Sequence, residues 1–179
     1  KYYVFLALFS NVALPMLIGY FWLGNVWGML FLAGFFRLFL TLNFTFFINS
    51  LAHIWGSQPY NDKDTSRDNA FLSVFTYGEG YHNYHHRFQN DYRNGVRWWN
   101  YDPTKWLIYG CSLLGITKGM KRTSKHLIEL AIADQQFSKA LNEYDRKDKS
   151  DELVAQLKEK YGEYVEVIEE FFQSKKEWL

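Results

Sequence analysis

Between its first residue and Gly56 the chain carries only two charged side chains, Lys1 and Arg37. One apolar run extends from Tyr3 to Leu23, close to the ~20 residues an α-helix needs to cross a hydrocarbon core. A break at Gly24-Asn25 leads into a second run from Val26 to about Ala52. So short a gap allows only a tight turn, and the two runs predict a helical hairpin in a membrane. The competing picture, a buried hairpin of a soluble protein, is disfavoured because two uncharged runs of this length are a membrane signature. Pro15 falls inside the first run, which spanning helices tolerate when neighbouring groups satisfy the freed carbonyl. Arg37 lies well inside the second, where a charge needs protein or water beside it; a packed structural role suits it at least as well as a functional one.

Charge is distributed so as to orient the hairpin. Its tip has no Lys or Arg, whereas the residues after His53 are rich in both, which places the N-terminus and everything beyond residue 53 in the cytosol. The net charge of +1 averages these two unlike parts. Aromatic residues make up 20% of the chain, and Trp and Tyr favour the membrane–water interface because each joins an apolar body to a polar tip. The single cysteine, Cys111, rules out an intrachain disulfide and fits a reducing compartment. No cleavable leader pattern precedes the first run, and the abrupt start at its mouth suggests a fragment. No basic cluster alternates with aromatics as a nucleic-acid surface would.

Residues 56–118 are loop-rich, interrupted by Pro59 and Pro103. Within them Ala70 to Tyr77 and Trp106 to Gly115 read as short helices lying against the membrane face. The tail predicts helices capped by Ser124 and Ser150, with Asp151 and Glu152 in a first turn and a solvated turn from Asp145 to Lys149. Leu153, Leu157, Tyr161, Tyr164, Val165, Ile168 and Phe172 recur every three or four residues, one apolar packing stripe. The expected architecture is therefore all-α: a two-span hairpin at 1–55, a cytosolic cap at 56–123 containing an H-x-x-H-H motif, and a helical tail at 124–179.

Four of the five histidines fall at two places. His82, His85 and His86 form H-x-x-H-H, positions that share one face of a helix. His53 stands at the mouth of the second span, with Asn49 one turn before it and Thr45 a turn earlier, a polar stripe costly in lipid unless it faces a cavity or partner. A lone histidine is usually satisfied by water or hydrogen bonds. Three on one face with a fourth at the same level are better explained by neutral imidazoles sharing a cation, which suits iron, zinc or copper. The absence of a cysteine ligand set argues against structural zinc. Glu79-Gly80-Tyr81-His82 matches the Glu-x-x-His of soluble carboxylate di-iron bundles, but those need a second copy, and Gly78 and Gly80 make poor helix. The site reads as histidine-dominated.

Asn49-Ser50-Leu51-Ala52-His53-Ile54-Trp55-Gly56, Pro59-Tyr60 and Gly78-Glu79-Gly80-Tyr81-His82-Asn83-Tyr84-His85-His86 together resemble the integral-membrane acyl-CoA delta-9 (stearoyl-CoA-type) desaturases, over residues 1 to about 129. The resemblance implies that His53, His82, His85 and His86 ligate two iron ions, that Asn49 holds a metal-bound water, and that Thr45 lines the bend of an acyl tunnel. The family often has Trp after that threonine; Phe46 here implies a different tunnel wall. It further implies O2 as co-substrate, an acyl-CoA substrate, surrounding membrane lipid, and a separate electron donor of the cytochrome b5 or ferredoxin type, since the tail has only His126 and a b-type haem needs two axial ligands. The family's other histidine boxes would lie in an N-terminal half, without which this segment is not expected to turn over. The implied location is an integral membrane protein, of the endoplasmic reticulum if eukaryotic or the inner membrane if bacterial. Two alternatives stay open: a membrane di-iron hydroxylase of fatty acyl chains or sphingolipids, which would use the same ligands, and a catalytically inactive membrane scaffold. Lys118, Lys121, Arg122 and Lys125 read first as a positive-inside flank.

Overall fold

The structure is a computed structural model that describes residues 2–146 and 151–177. Contacts divide the chain after Asn49 into a hairpin unit and a second unit beginning at Ser50. Among the described residues there is no strand, only two isolated β-bridges, Ser57 with Asp68 and Asp68 with Tyr81.

Two long apolar helices build the hairpin unit. Helix α1 is Tyr3–Leu23, and α2 is helical through residues 26–49. Both are long and apolar enough to cross a membrane. Gly24 makes the turn between them with φ +64, a left-handed conformation open to glycine at little cost. Asn25 then caps α2 by accepting from the Gly28 amide at 2.8 Å. Pro15 cannot donate to the carbonyl four residues back, that of Asn11, and α1 accommodates it with a wider π-helical stretch over Phe9–Ala13. The helices meet at that irregularity: a Cβ added to Gly34 of α2 would lie 2.4 Å from the Asn11 carbonyl oxygen. Arg37 completes the contact. Its guanidinium donates to the Asn11 side-chain oxygen and to the Ala33 carbonyl, the latter at 2.8 Å. The intramembrane charge thus has a packed partner on the other helix.

Helix α2 ends sooner than the sequence suggested. Ser50 leaves the helical region (φ −120, ψ −70), and His53 is carried by a separate 3₁₀ turn, Leu51–His53. The expected stripe of Thr45, Asn49 and His53 on one helix is therefore corrected: the break at Ser50 ends it at Asn49.

In the second unit, helices are short until the tail. Helix α3 (Ala70–Phe75) is capped by Asn69, and α4 (His82–Arg87) carries the histidine motif. Helix α5 (Pro103–Leu113) begins with Asp102 as cap and Pro103 in its first turn, where a missing N–H costs nothing. Both short apolar stretches of the sequence are helical, although α5 starts three residues earlier than expected.

The tail forms two long helices, α6 (Lys125–Arg146) and α7 (Asp151–Glu177), packed on each other. The Ser124 hydroxyl accepts from the Leu127 amide at 3.3 Å, the predicted cap. Phe137 stacks on Tyr161 with centroids 4.1 Å apart. Along the stripe Ile168 is buried and Leu157, Tyr161, Val165 and Phe172 are half-buried, whereas Leu153 and Tyr164 are exposed, at 39% and 52%. The predicted cap Ser150 and residues 147–149 of the predicted turn lie outside the described residues; Asp145 and Arg146 belong to α6.

Candidate metal centre

Three imidazoles converge in the second unit, drawn from two elements. The turn Leu51–His53 supplies His53 and α4 supplies His82 and His86. Nε2 of His82 lies 3.1 Å from Nε2 of His53 and 3.0 Å from Nε2 of His86. One ligand atom from each lies within 4.8 Å of the others. The His53 ring stands nearly perpendicular to both partners, at 80° and 82°.

His85 stands apart from this trio. Its ring centroid is 6.2 Å from that of His82 and 6.1 Å from that of His86. Helix geometry explains the split: with ~3.6 residues per turn, consecutive side chains leave the axis ~100° apart. His82 sits between the two directions, His85 falls to one flank and His86 to the other. The three motif histidines share the inward side of the helix, and it is His53, His82 and His86 whose ligand atoms come together.

The donor set fits a metal cation. Two nitrogens each ~2.1 Å from one ion and at right angles lie ~3.0 Å apart, the spacing found here. Without a cation, the single Nε2 of His82 can serve one of its two neighbours as a hydrogen-bond partner but not both well. Burial, and then the neighbouring His86, His53 and His85, holds the His82 imidazole down to about 4, so near neutrality this ring is uncharged. Glu79 takes no part in the trio; its Oε1 accepts from Asn94 at 2.8 Å.

Behind the rings are residues that the motif did not announce. Asp64 Oδ2 lies 3.4 Å from His86 Nδ1, and Thr65 Oγ1 lies 2.9 Å from His53 Nδ1. Burial works against the charge on Asp64, yet the Ser66 hydroxyl and amide, with His86, hold its carboxyl below the usual range. Nδ1 of His82 is buried with no partner. Asn83 is fully buried between the ligand positions and donates to the carbonyls of Asn61 and Ser66 at 2.7 and 3.0 Å. Asp68 accepts from the Tyr84 amide at 3.0 Å, and burial pushes its carboxyl up to about 7. Tyr84, buried below α4, donates to Asp91 at 2.7 Å. Despite its burial, Asp91 is held down to about 2, foremost by the Arg93 guanidinium. No sequence signal separated Asp64 and Thr65 from other polar loop residues.

The remaining predicted residues lie in the hairpin unit, on α2. The Thr45 hydroxyl donates to the Thr41 carbonyl at 2.8 Å, Phe46 is 66% exposed, and Asn49 is the last α-helical residue.

Comparison with known proteins places these features in a family. The profile of the fatty acid desaturases matches residues 1–112. The chain is 45% identical over 140 residues to acyl-CoA desaturase 1 of Saccharomyces cerevisiae, covering 78% of this chain and 27% of that protein. It is 41% identical over 148 residues to a probable acyl-CoA desaturase of Schizosaccharomyces pombe, 82% of this chain and 30% of that one. Stearoyl-CoA desaturase 5 of Bos taurus is 36% identical over 130 residues, 72% of this chain and 39% of that one. The chain thus spans well under half the length of these relatives, and with a matching profile over most of its residues it belongs to the fatty acid desaturase family.

Proposed function

We propose that this chain supplies one membrane hairpin and part of the metal centre of an O2-dependent fatty acyl-CoA desaturase, introducing a cis double bond, at delta-9, into a saturated acyl chain. The observation that carries the proposal is the convergence of the His53, His82 and His86 Nε2 atoms in a chain of this family. In this reading those three histidines hold one iron ion and His85, displaced to the other flank of α4, serves a second. Asn49 contributes through a water, and Thr45 and Phe46 line the acyl tunnel. The remaining ligands come from a further, N-terminal part of the desaturase, consistent with the share of the relatives that this chain covers.

An unactivated methylene pair has no proton that a side-chain base can remove; iron held by these histidines would supply the oxidising power, with O2 as the oxidant. Overall the chain –CH2–CH2– becomes –CH=CH–, and O2 with two electrons and two protons from a separate donor becomes two waters. The protein's own residues position: imidazoles fix the centre, and an apolar tunnel fixes which carbons reach it. A site facing the cytosol at the membrane surface lets the tail enter from lipid while the CoA head and a cytochrome b5 or ferredoxin-type donor stay in water.

The test uses the complete gene product purified in detergent, with iron measured by elemental analysis and products of saturated acyl-CoA analysed by mass spectrometry. About two irons per chain, lost when His82, His85 and His86 are all replaced by Ala, together with an alkene product, is the expected result. A hydroxylated product would move the assignment to a hydroxylase. A folded protein without iron would favour a scaffold.

A further inference from the structure

The loop of residues 58–66 runs along the outer side of two of the converging histidines and is itself tightly held. Asn83, between His82 and His85 in sequence, fastens it with both ends of one amide. Its oxygen accepts from the amides of Tyr60 and Asn61 at 3.0 and 3.3 Å, and its nitrogen donates to the carbonyls of Asn61 and Ser66 at 2.7 and 3.0 Å. Within the loop, Asp64 Oδ1 accepts from the Ser66 amide at 2.8 Å and Oδ2 from the Asn61 side chain at 3.1 Å. Gln58 donates to the Asp64 carbonyl at 2.7 Å. The motif helix and the loop are thus locked together, and the loop presents Asp64 to His86 Nδ1 at 3.4 Å and Thr65 to His53 Nδ1 at 2.9 Å.

A neutral imidazole has one N–H and one lone pair, and the partner of one nitrogen decides the state of the other. A carboxylate only accepts, so Asp64 at 3.4 Å favours the His86 tautomer with its hydrogen on Nδ1 and its Nε2 lone pair inward. A threonine hydroxyl can accept in the same way from His53. We propose that Asp64 and Thr65 are positioning residues that fix the tautomer and ring orientation of His86 and His53, so that both Nε2 atoms face one cation. The inference rests on the reading of the trio as an iron site. Asp64 has the larger role, because it is charged and is held in place by Ser66 and Asn61.

The test compares wild type, Asp64→Asn, Thr65→Val and Thr65→Ser as complete gene products in detergent. Iron retention against a competing chelator is measured beside the far-UV circular dichroism and thermal unfolding of the metal-free proteins. Asn at 64 keeps an acceptor for Ser66 but can present an N–H toward Nδ1, which favours the wrong tautomer. Expected is a loss of about 10–100-fold in iron affinity for Asp64→Asn, a smaller loss for Thr65→Val, and wild-type affinity for Thr65→Ser, with metal-free unfolding unchanged in all. If Asp64→Asn does not fold, the Thr65 pair decides by the same criterion. Equal iron affinity in wild type and the folded variants overturns the inference, as does a loss matched by lower metal-free stability. A wild type without iron removes the metal reading itself, an outcome distinct from either.

Discussion

In the hairpin unit the buried residues are Pro15, Gly19, Leu30 and Gly34, while Trp22 and Trp27 are 80% and 74% exposed. In the second unit the largest fully buried side chains are Tyr84, Asn83, Asp102, Ser66 and Ser73. One part turns most of its large apolar groups outward and closes mainly on small or bent residues; the other buries many polar groups beside apolar ones such as Leu72, Ile128 and Ala131. Solvent explains the difference. Lipid gives helices no hydrophobic reason to associate, so they approach where backbones can come close and where a polar pair such as Asn11 and Arg37 links them. The second unit has long irregular segments whose buried amides and carbonyls need partners, and buried Asp, Asn and Ser side chains provide them.

The strongest way to test this contrast is to remove one buried polar group. Asp102 accepts from the amides of Asn94, Gly95 and Lys105 at 2.8, 2.9 and 2.9 Å. Asp102→Ala leaves three donors without that acceptor and is expected to destabilise the second unit by on the order of 4 kcal/mol, measured by denaturant unfolding in detergent. Loss below 1 kcal/mol would show that its polar core is not what holds it.

A pH series sharpens the same point. Asp68 is raised to about 7 in the folded state from an ordinary value of 3.8. The folded state therefore binds this proton more tightly, and its contribution to stability is full below about 4 and is lost as pH rises to about 7. Against Asp68→Asn, wild-type stability should decline across that window by on the order of 4 kcal/mol. Parallel curves would refute the shift.

Smaller effects are expected in the hairpin. Gly34→Leu forces a side chain against the Asn11 carbonyl and should cost about 2 kcal/mol, with the two helices separating in cysteine cross-linking between them. A double-mutant cycle of Asn11→Ala with Arg37→Leu should give a coupling of only ~0.6 kcal/mol; a coupling several times larger would make the pair a main determinant of the hairpin.

Much of this was legible in the residues. The uncharged runs from Tyr3 and Val26 and the break at Gly24-Asn25 are local features, and so are the Ser124 cap and most of the tail stripe. The His82-x-x-His85-His86 spacing marked the candidate site, and the flanking motifs pointed to the family. What escaped was relative direction. The break at Ser50 has no marked helix-breaking residue behind it, and the outward turn of Tyr164 depends on where α6 lies.

The sequence by itself determined the two apolar spans, the helical tail, the histidine motif and, through its motifs, the family, because each depends on the order and spacing of nearby residues. Only the tertiary structure decided which ring nitrogens meet, those of His53, His82 and His86 with His85 to one side, and that Asp64 and Thr65 lie behind those rings. Those contacts join residues 29 and 12 positions apart for His53 with His82 and with Thr65. Such pairings are set by chain closure and packing, and periodicity carries no record of them.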